Sequence, residues 1–253
     1  MKKIAFIVTL TFATIFAYAQ KNEVNSAYNH YTNDYLDRAK TAIDKATQNE
    51  ITKNEAKTWM YCGNIYLRLA EANSNPKSRD LQFKNLCNNC AEVAYEAFRK
   101  AFDLDKDVTV TGMAVSTPQA GLEFCAHYLY EIAFGLYQQK KNEEAFAMAE
   151  KAHKANSKSD YITYFFAFTA ENVNKPDIAK ARYNDLIRNK SKEMNAYVRL
   201  ANIYKSERDT TKMLKAMKDG EPFFFSQDTI NADFAVSYSI LLSWAGEIGR
   251  AHV

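Results

Sequence analysis

Leu129-Tyr130-Glu131-Ile132-Ala133-Phe134-Gly135-Leu136, Thr163-Tyr164-Phe165-Phe166-Ala167-Phe168-Thr169-Ala170 and Tyr197-Val198-Arg199-Leu200-Ala201-Asn202-Ile203-Tyr204 are three lines of one pattern. Each places residues at i, i+3, i+4 and i+7, the spacing that lines up one face of an α-helix. Each carries a small alanine in the middle of that face. Ala133, Ala167, Ala201 and Ala235 recur every 34 residues. Twelve residues after each of the first three alanines a second stripe begins. These second stripes are Ala145-x-x-x-Ala149-x-x-Ala152, Ala179-x-x-x-Tyr183-x-x-Leu186 and Met213-x-x-x-Met217-x-x-Gly220. A small residue on the first helix lets the second approach closely, so each line predicts a helical hairpin. The turns between paired helices are polar, Lys140-Lys141-Asn142-Glu143 and Asn174-Lys175-Pro176-Asp177. Pro176 stands where a helix would begin, as its fixed φ allows.

Upstream, Trp59-x-x-Cys62-Gly63-x-x-Tyr66 is followed by Ala94-x-x-x-Phe98-x-x-Ala101, ending in Leu104-Asp105. The first of these resembles the tetratricopeptide signature W-x2-L-G-x2-Y, with Cys62 in place of leucine. Tyr35 to Trp59, with Ala39, Ile43 and Ala46 at helical spacing, reads as the second helix of a preceding repeat. Asn25 to Thr32 would be its partner. The resemblance covers most of residues 21 to 246. It implies an all-α fold, a right-handed α-solenoid of tetratricopeptide-like helical hairpins. About five hairpins are expected, followed by an incomplete one. The chain is similar in this to exported bacterial tetratricopeptide repeat proteins.

Two departures interrupt the pattern. Ala94 stands 31 residues after Gly63, where an offset of twelve is expected. The extra stretch, Asn73 to Asn85, is polar and carries Pro76, so it reads as a long hairpin loop. A second insertion, Lys106 to Pro118, joins the second and third repeats, and its Val108-Thr109-Val110-Thr111 run reads as a short extended piece. Both are expected to be surface loops; a specificity role is the alternative, because long ordered loops are often functional.

The chain ends carry their own expectations. Lys2-Lys3, the uncharged apolar run Ile4 to Phe16 and Ala17-Tyr18-Ala19 form a secretory signal, so residues 1–19 are expected to be removed. Gln20 would become the first residue. An uncleaved anchor is the alternative, but the apolar run is short for a membrane span. No cysteine stands at the cleavage point to accept a lipid. Nothing later in the chain reaches spanning length. Residues 20–247 form the repeat domain. Residues 248–253, Ile248 to Val253, do not continue the repeat and resemble one reading frame of a common sequencing-library adapter. The repeat domain is therefore expected to be truncated at its C-terminus.

Composition excludes several function classes. The formal charge is +3, from 33 Lys and Arg against 30 Asp and Glu. Without Lys2 and Lys3 the balance is 31 against 30, or +1, which gives no electrostatic case for nucleic acid. No phosphate-cradling glycine motif and no nucleophile-elbow motif appears, and the histidines (30, 127, 153 and 252) show no metal spacing. The histidines are expected at the surface. Neither cofactor nor metal nor catalytic residue is assigned. Cys87-Asn88-Asn89-Cys90 falls where a second helix should start and reads as a local disulfide or two thiols. A thiol-disulfide oxidoreductase is the alternative, weakened because no alternating βαβ pattern surrounds it. Cys62 and Cys125 lie on apolar faces and read as core.

Aromatic content points to a binding role. Tyr and Phe number 16 each. In the family that the chain resembles, first helices line the concave face. Tyr28, Tyr31, Tyr130, Phe134, Tyr137, Tyr161, Tyr164 and Phe168 lie there or in the core. Tyr130, Phe134 and Tyr137 share one helical stripe, and Tyr161, Tyr164 and Phe168 another. The core-facing stripe is expected from Leu129, Ile132 and Ala133, and from Phe165, Phe166 and Ala167. The six residues Tyr130, Phe134, Tyr137, Tyr161, Tyr164 and Phe168 are thus the candidate partner-binding surface, suited to an uncharged, partly apolar protein segment. Lys57, Arg68 and Lys205 are the basic residues expected nearby. The expected function is a protein-protein interaction scaffold or assembly factor of the bacterial envelope. A glycan-binding repeat protein of outer-membrane sugar uptake is the alternative.

Overall fold

A computed structural model of the chain describes residues 22–225 and 231–251. The expected signal segment, residues 1–19, lies outside them, as do His252 and Val253. Every element that is described is helical. Residues 22–32 form α1. Then follow α2 (Leu36–Gln48), α3 (Ala56–Ser74), α4 (Cys90–Leu104), α5 (Pro118–Gln138), α6 (Asn142–Ala155), α7 (Asp160–Asn172), α8 (Pro176–Arg188), α9 (Met194–Ser206), α10 (Thr210–Phe224) and α11 (Ala232–Ala251). Short 3-10 turns at Thr52–Asn54 and Leu81–Phe83 lie between α2 and α3 and between α3 and α4. The protein is therefore all-α, built from tetratricopeptide-like hairpins. No described helix is long and apolar enough to cross a membrane.

The turns inside the hairpins share one construction. Asp34, Lys140, Asn174 and Arg208 have positive φ, and the last three are 34 residues apart. At Lys140 the amide bonds back to the Tyr137 carbonyl, and the next amide, of Lys141, reaches Leu136. The same pair of bonds recurs at Asn174 with Lys175 and at Arg208 with Asp209. This is the Schellman end, which satisfies the last carbonyls of the first helix and reverses the chain.

The chain divides into two compact units, residues 1–131 and 132–253. In the first, α3 packs on α2 and α4. Its core includes Leu36, Ile43, Met60, Ile65, Leu69, Phe98 and Leu129, all fully buried. The segment expected to be one helix from Tyr35 to Trp59 ends at Gln48 instead. Asn49 Oδ1 accepts from the Ile51 and Thr52 amides, and Thr52 Oγ1 donates to the Ala46 carbonyl, so side chains close the turn. Both insertions are bound to the core. In the first, whose helix α3 runs on to Ser74, Asp80 is buried against Arg68. In the second, Asn64 holds Val115 on both sides: its Oδ1 accepts from the Val115 amide at 2.7 Å and its Nδ2 donates to the Val115 carbonyl at 3.0 Å. Val110 and Val115 are buried, and Val108 to Thr111 form no strand.

In the second unit, α6 to α10 pack in sequence, and α11 lies against α9 and α10. Ala133, Ala167 and Ala201 are fully buried, as are Ala145, Ala179 and Met213 of the paired helices. Two expectations need correction. Ile132 is 37% exposed rather than core-facing, since Leu129 and Ala133 already fill that side. Ala235 is only half-buried, and the bulky Phe234 takes the interior place. α11 runs from Ala232 to Ala251.

Candidate functional site

The helical spacing of α5 and α7 brings most of the expected aromatic surface together within the second unit. Tyr130 is half-buried on the part of α5 that belongs to the first unit. Phe134 and Tyr137, on the last turns of α5, face α7. Phe134 lies 5.9 Å from the Phe165 ring, and Tyr137 lies 5.0 Å edge-on from Phe168. Tyr164 stacks against Phe168 at 6.4 Å with planes 16° apart. Phe134 is 38% exposed and Tyr161 47%, while Tyr137, Tyr164 and Phe168 are half-buried beside them. Aromatic pairs in offset or edge-on contact fix each other's orientation, so the exposed Phe134 ring rests on a rigid base.

Sequence reasoning missed the charged part of this surface. Arg199, from α9, lays its guanidinium 4.5 Å from the centre of the Phe168 ring. Its Nε donates to the Tyr164 hydroxyl at 3.1 Å, and its Nη1 lies 3.5 Å from Glu171. Tyr183, from α8, donates its hydroxyl to the same Glu171 carboxylate. Burial raises the Tyr183 phenol well above its ordinary value, and the bond to Glu171 raises it further. Tyr183 therefore donates as a neutral phenol at any physiological pH. Burial likewise raises Tyr164, and Arg199 works against that rise. Of the basic residues expected nearby, Arg68 is instead buried in the first unit. The available signal was the period itself: Arg199 sits 34 residues after Phe165, so an arginine takes the place of a ring.

Other expected residues fall differently. Tyr31 is buried, its hydroxyl accepting from the Ala114 amide, and Tyr28 stacks on Tyr61 at 5.3 Å. Tyr31 thus belongs to the core of the first unit, and Tyr28 lies half-buried at its edge. His127 is exposed as expected, but His153 is buried. It stacks on Phe166 at 5.2 Å between Thr163 Oγ1 at 3.1 Å and Arg182 Nη1 at 3.3 Å. Cys62 and Cys125 are buried free thiols, as their apolar faces predict. Among the described residues no cluster of three His, Cys, Asp or Glu could hold a metal ion.

In the aromatic surface itself, rings, phenols and one neutralised guanidinium are brought together. Such a set can stack on planar groups, cover apolar side chains and donate hydrogen bonds. No protein-family model matches the chain, and no curated protein matches it. Solved structures similar to it include PilW, described as a widely conserved type IV pilus biogenesis factor, at 14% identity over 92% of this chain and 89% of that one, with a TM-score of 0.41. Pseudomonas aeruginosa pilF is similar at 15% identity over 93% and 90%, with a TM-score of 0.38. YrrB, described as a TPR protein with an unusual peptide-binding site, is similar at 14% identity over 85% and 88%, with a TM-score of 0.36. The class, an all-α helical-hairpin repeat, rests on the hairpins of this chain rather than on those likenesses.

Proposed function

We propose that this protein is a non-catalytic interaction scaffold that holds an extended, partly apolar protein segment on its aromatic first-helix surface. One observation carries the reading: Phe134 stays 38% exposed while its ring rests on the buried Phe165, and Tyr161, on the same helix as Phe165, is 47% exposed. Large exposed rings on a rigid base cover a ligand at low conformational cost. The Arg199–Glu171 pair is internally balanced, so it favours a segment without strong charge. We also propose that the protein acts outside the cytoplasm, in a bacterial envelope, on the strength of the signal-like residues 1–19.

Partners captured from envelope extracts by the full chain supply the ligand for the test. Phe134→Ala, Tyr137→Ala and Tyr161→Ala should each weaken binding by roughly tenfold, the size expected for central aromatic anchors, with helicity intact. Unchanged affinity in all three would remove this surface from consideration. Capture of oligosaccharides instead of protein would replace the scaffold reading with the glycan-binding one. Intact-mass measurement of the envelope form should find Gln20 at the N-terminus; Met1 in a cytosolic fraction would reject export.

A further inference from the structure

The insertion between α3 and α4 ends in Cys87-Asn88-Asn89-Cys90, which the proposed binding role leaves unused. One side chain gathers this motif. Asn73, in the last turn of α3, accepts from the Asn85 amide at 2.9 Å through its Oδ1. Its Nδ2 donates to the Cys87 carbonyl at 2.7 Å and lies 3.7 Å from Cys90 Sγ. Cys90 is the first residue of α4, and its Sγ stands 2.9 Å from the Cys87 carbonyl oxygen. A single amide thus holds both cysteines at one point. Their accessibility differs: Cys87 is half-buried, whereas Cys90 is buried. Burial raises the Cys90 thiol, and the adjoining Cys87 thiol raises it further. Cys62 and Cys125, both buried on other helices with raised thiols, are held back from exchange by desolvation.

We propose that Cys87 and Cys90 are a site of reversible disulfide formation, with a glutathione-type disulfide as the oxidant. The accessible Cys87, as thiolate, attacks one sulfur of the oxidant and expels one glutathione thiolate. Cys90 then loses its proton to solvent and attacks the Cys87 sulfur of the mixed disulfide, expelling the second thiolate. Two cysteine thiols are oxidised by two electrons, and one glutathione disulfide is reduced to two glutathiones. The bond closes a loop of four residues, so it removes little chain entropy and remains exchangeable. It fastens the end of the insertion to the first turn of α4, while Asp80 holds its middle on Arg68.

The test equilibrates the reduced full-length chain with glutathione buffers of rising disulfide content. Samples are then denatured, alkylated with N-ethylmaleimide and digested for mass analysis. The expected result is that two of the four thiols escape alkylation, both in the peptide spanning Cys87 and Cys90, which runs two hydrogens light. A lasting glutathione adduct on Cys87, or alkylation of all four cysteines at every ratio, would overturn the proposal. Asn73→Ala should leave the fold intact and move half-oxidation about fivefold toward more oxidant, the worth of one hydrogen bond. An unmoved midpoint would overturn the role given to Asn73 in gathering the pair.

Discussion

Phe98 of α4 offers the sharpest test of how the first unit is packed. Its ring is fully buried between two helices that present glycine to it. A Cβ added at Gly63 of α3 would stand 2.7 Å from each of three consecutive ring carbons. One added at Gly121 of α5 would stand 2.4 to 2.5 Å from three consecutive ring carbons. A point equally far from three atoms of a hexagon lies on its axis. Two such points cannot share a face without the glycines colliding, so Gly63 and Gly121 cap opposite faces of the ring. Gly63→Ala therefore pushes the ring against Gly121, with no side on which to retreat. Overpacking of this kind costs roughly 3 kcal/mol, at the upper end of its usual range. Alanine inside a helix regains about 1 kcal/mol of propensity over glycine. The net expected loss is about 2 kcal/mol. Gly135 of α5 is the control, because a Cβ there meets nothing within 4 Å. Gly135→Ala should raise stability by roughly 0.5–1 kcal/mol. Urea unfolding followed by far-UV circular dichroism measures both. Combining Gly63→Ala with Phe98→Leu should cost less than the two changes summed, since the clash and the ring disappear together. A Gly63→Ala protein as stable as its parent, or a destabilised Gly135→Ala, would refute the sandwich.

Further outcomes follow from the same packing. Ala167→Leu, at a fully buried helix crossing, should cost roughly 1–3 kcal/mol by urea unfolding, and no cost would mean that the hairpin register is wrong. Asp80→Ala strands the Arg68 guanidinium, where both side chains are now only 4% exposed and joined at 2.6 Å; roughly 3 kcal/mol should be lost, the exposed Asp34 at 2.8 Å keeping it from being more. Acid should also destabilise the second unit. Arg182 can only donate, so His153 Nε2 must accept and Nδ1 carries the proton toward Thr163; burial and then Arg182 hold the imidazole below its ordinary 6.5. The unfolded chain then binds the proton more readily, so His153's stabilising share is whole above that value and is lost as pH falls through the folded value. Urea midpoints compared at about pH 7.5 and about pH 5.5 should differ less in His153→Gln than in the parent; an equal difference would show that His153 does not titrate this way.

The hairpins were legible because their cause is local. A 34-residue period, a small residue at each crossing and apolar stripes at helical spacing are read along the chain, and Ala133, Ala167 and Ala201 are buried as that pattern requires. The aromatic stripes of α5 and α7 were legible for the same reason, as i, i+3 and i+4 neighbours must share a face. What stayed hidden depends on side chains that meet from separate helices. Arg199 reaches Tyr164 across 35 residues, Arg182 reaches His153 across 29, and Asn64 meets Val115 across 51. In the sequence each is a polar residue on or beside an apolar stripe, indistinguishable from a solvated one. Burial of a polar group is decided by whether a partner arrives to satisfy it, and that is a property of the packed helices. The sequence by itself therefore determined the repeat and the faces of its helices. The tertiary structure decided which polar groups go inside, because only there do donors and acceptors from distant helices come within hydrogen-bonding distance.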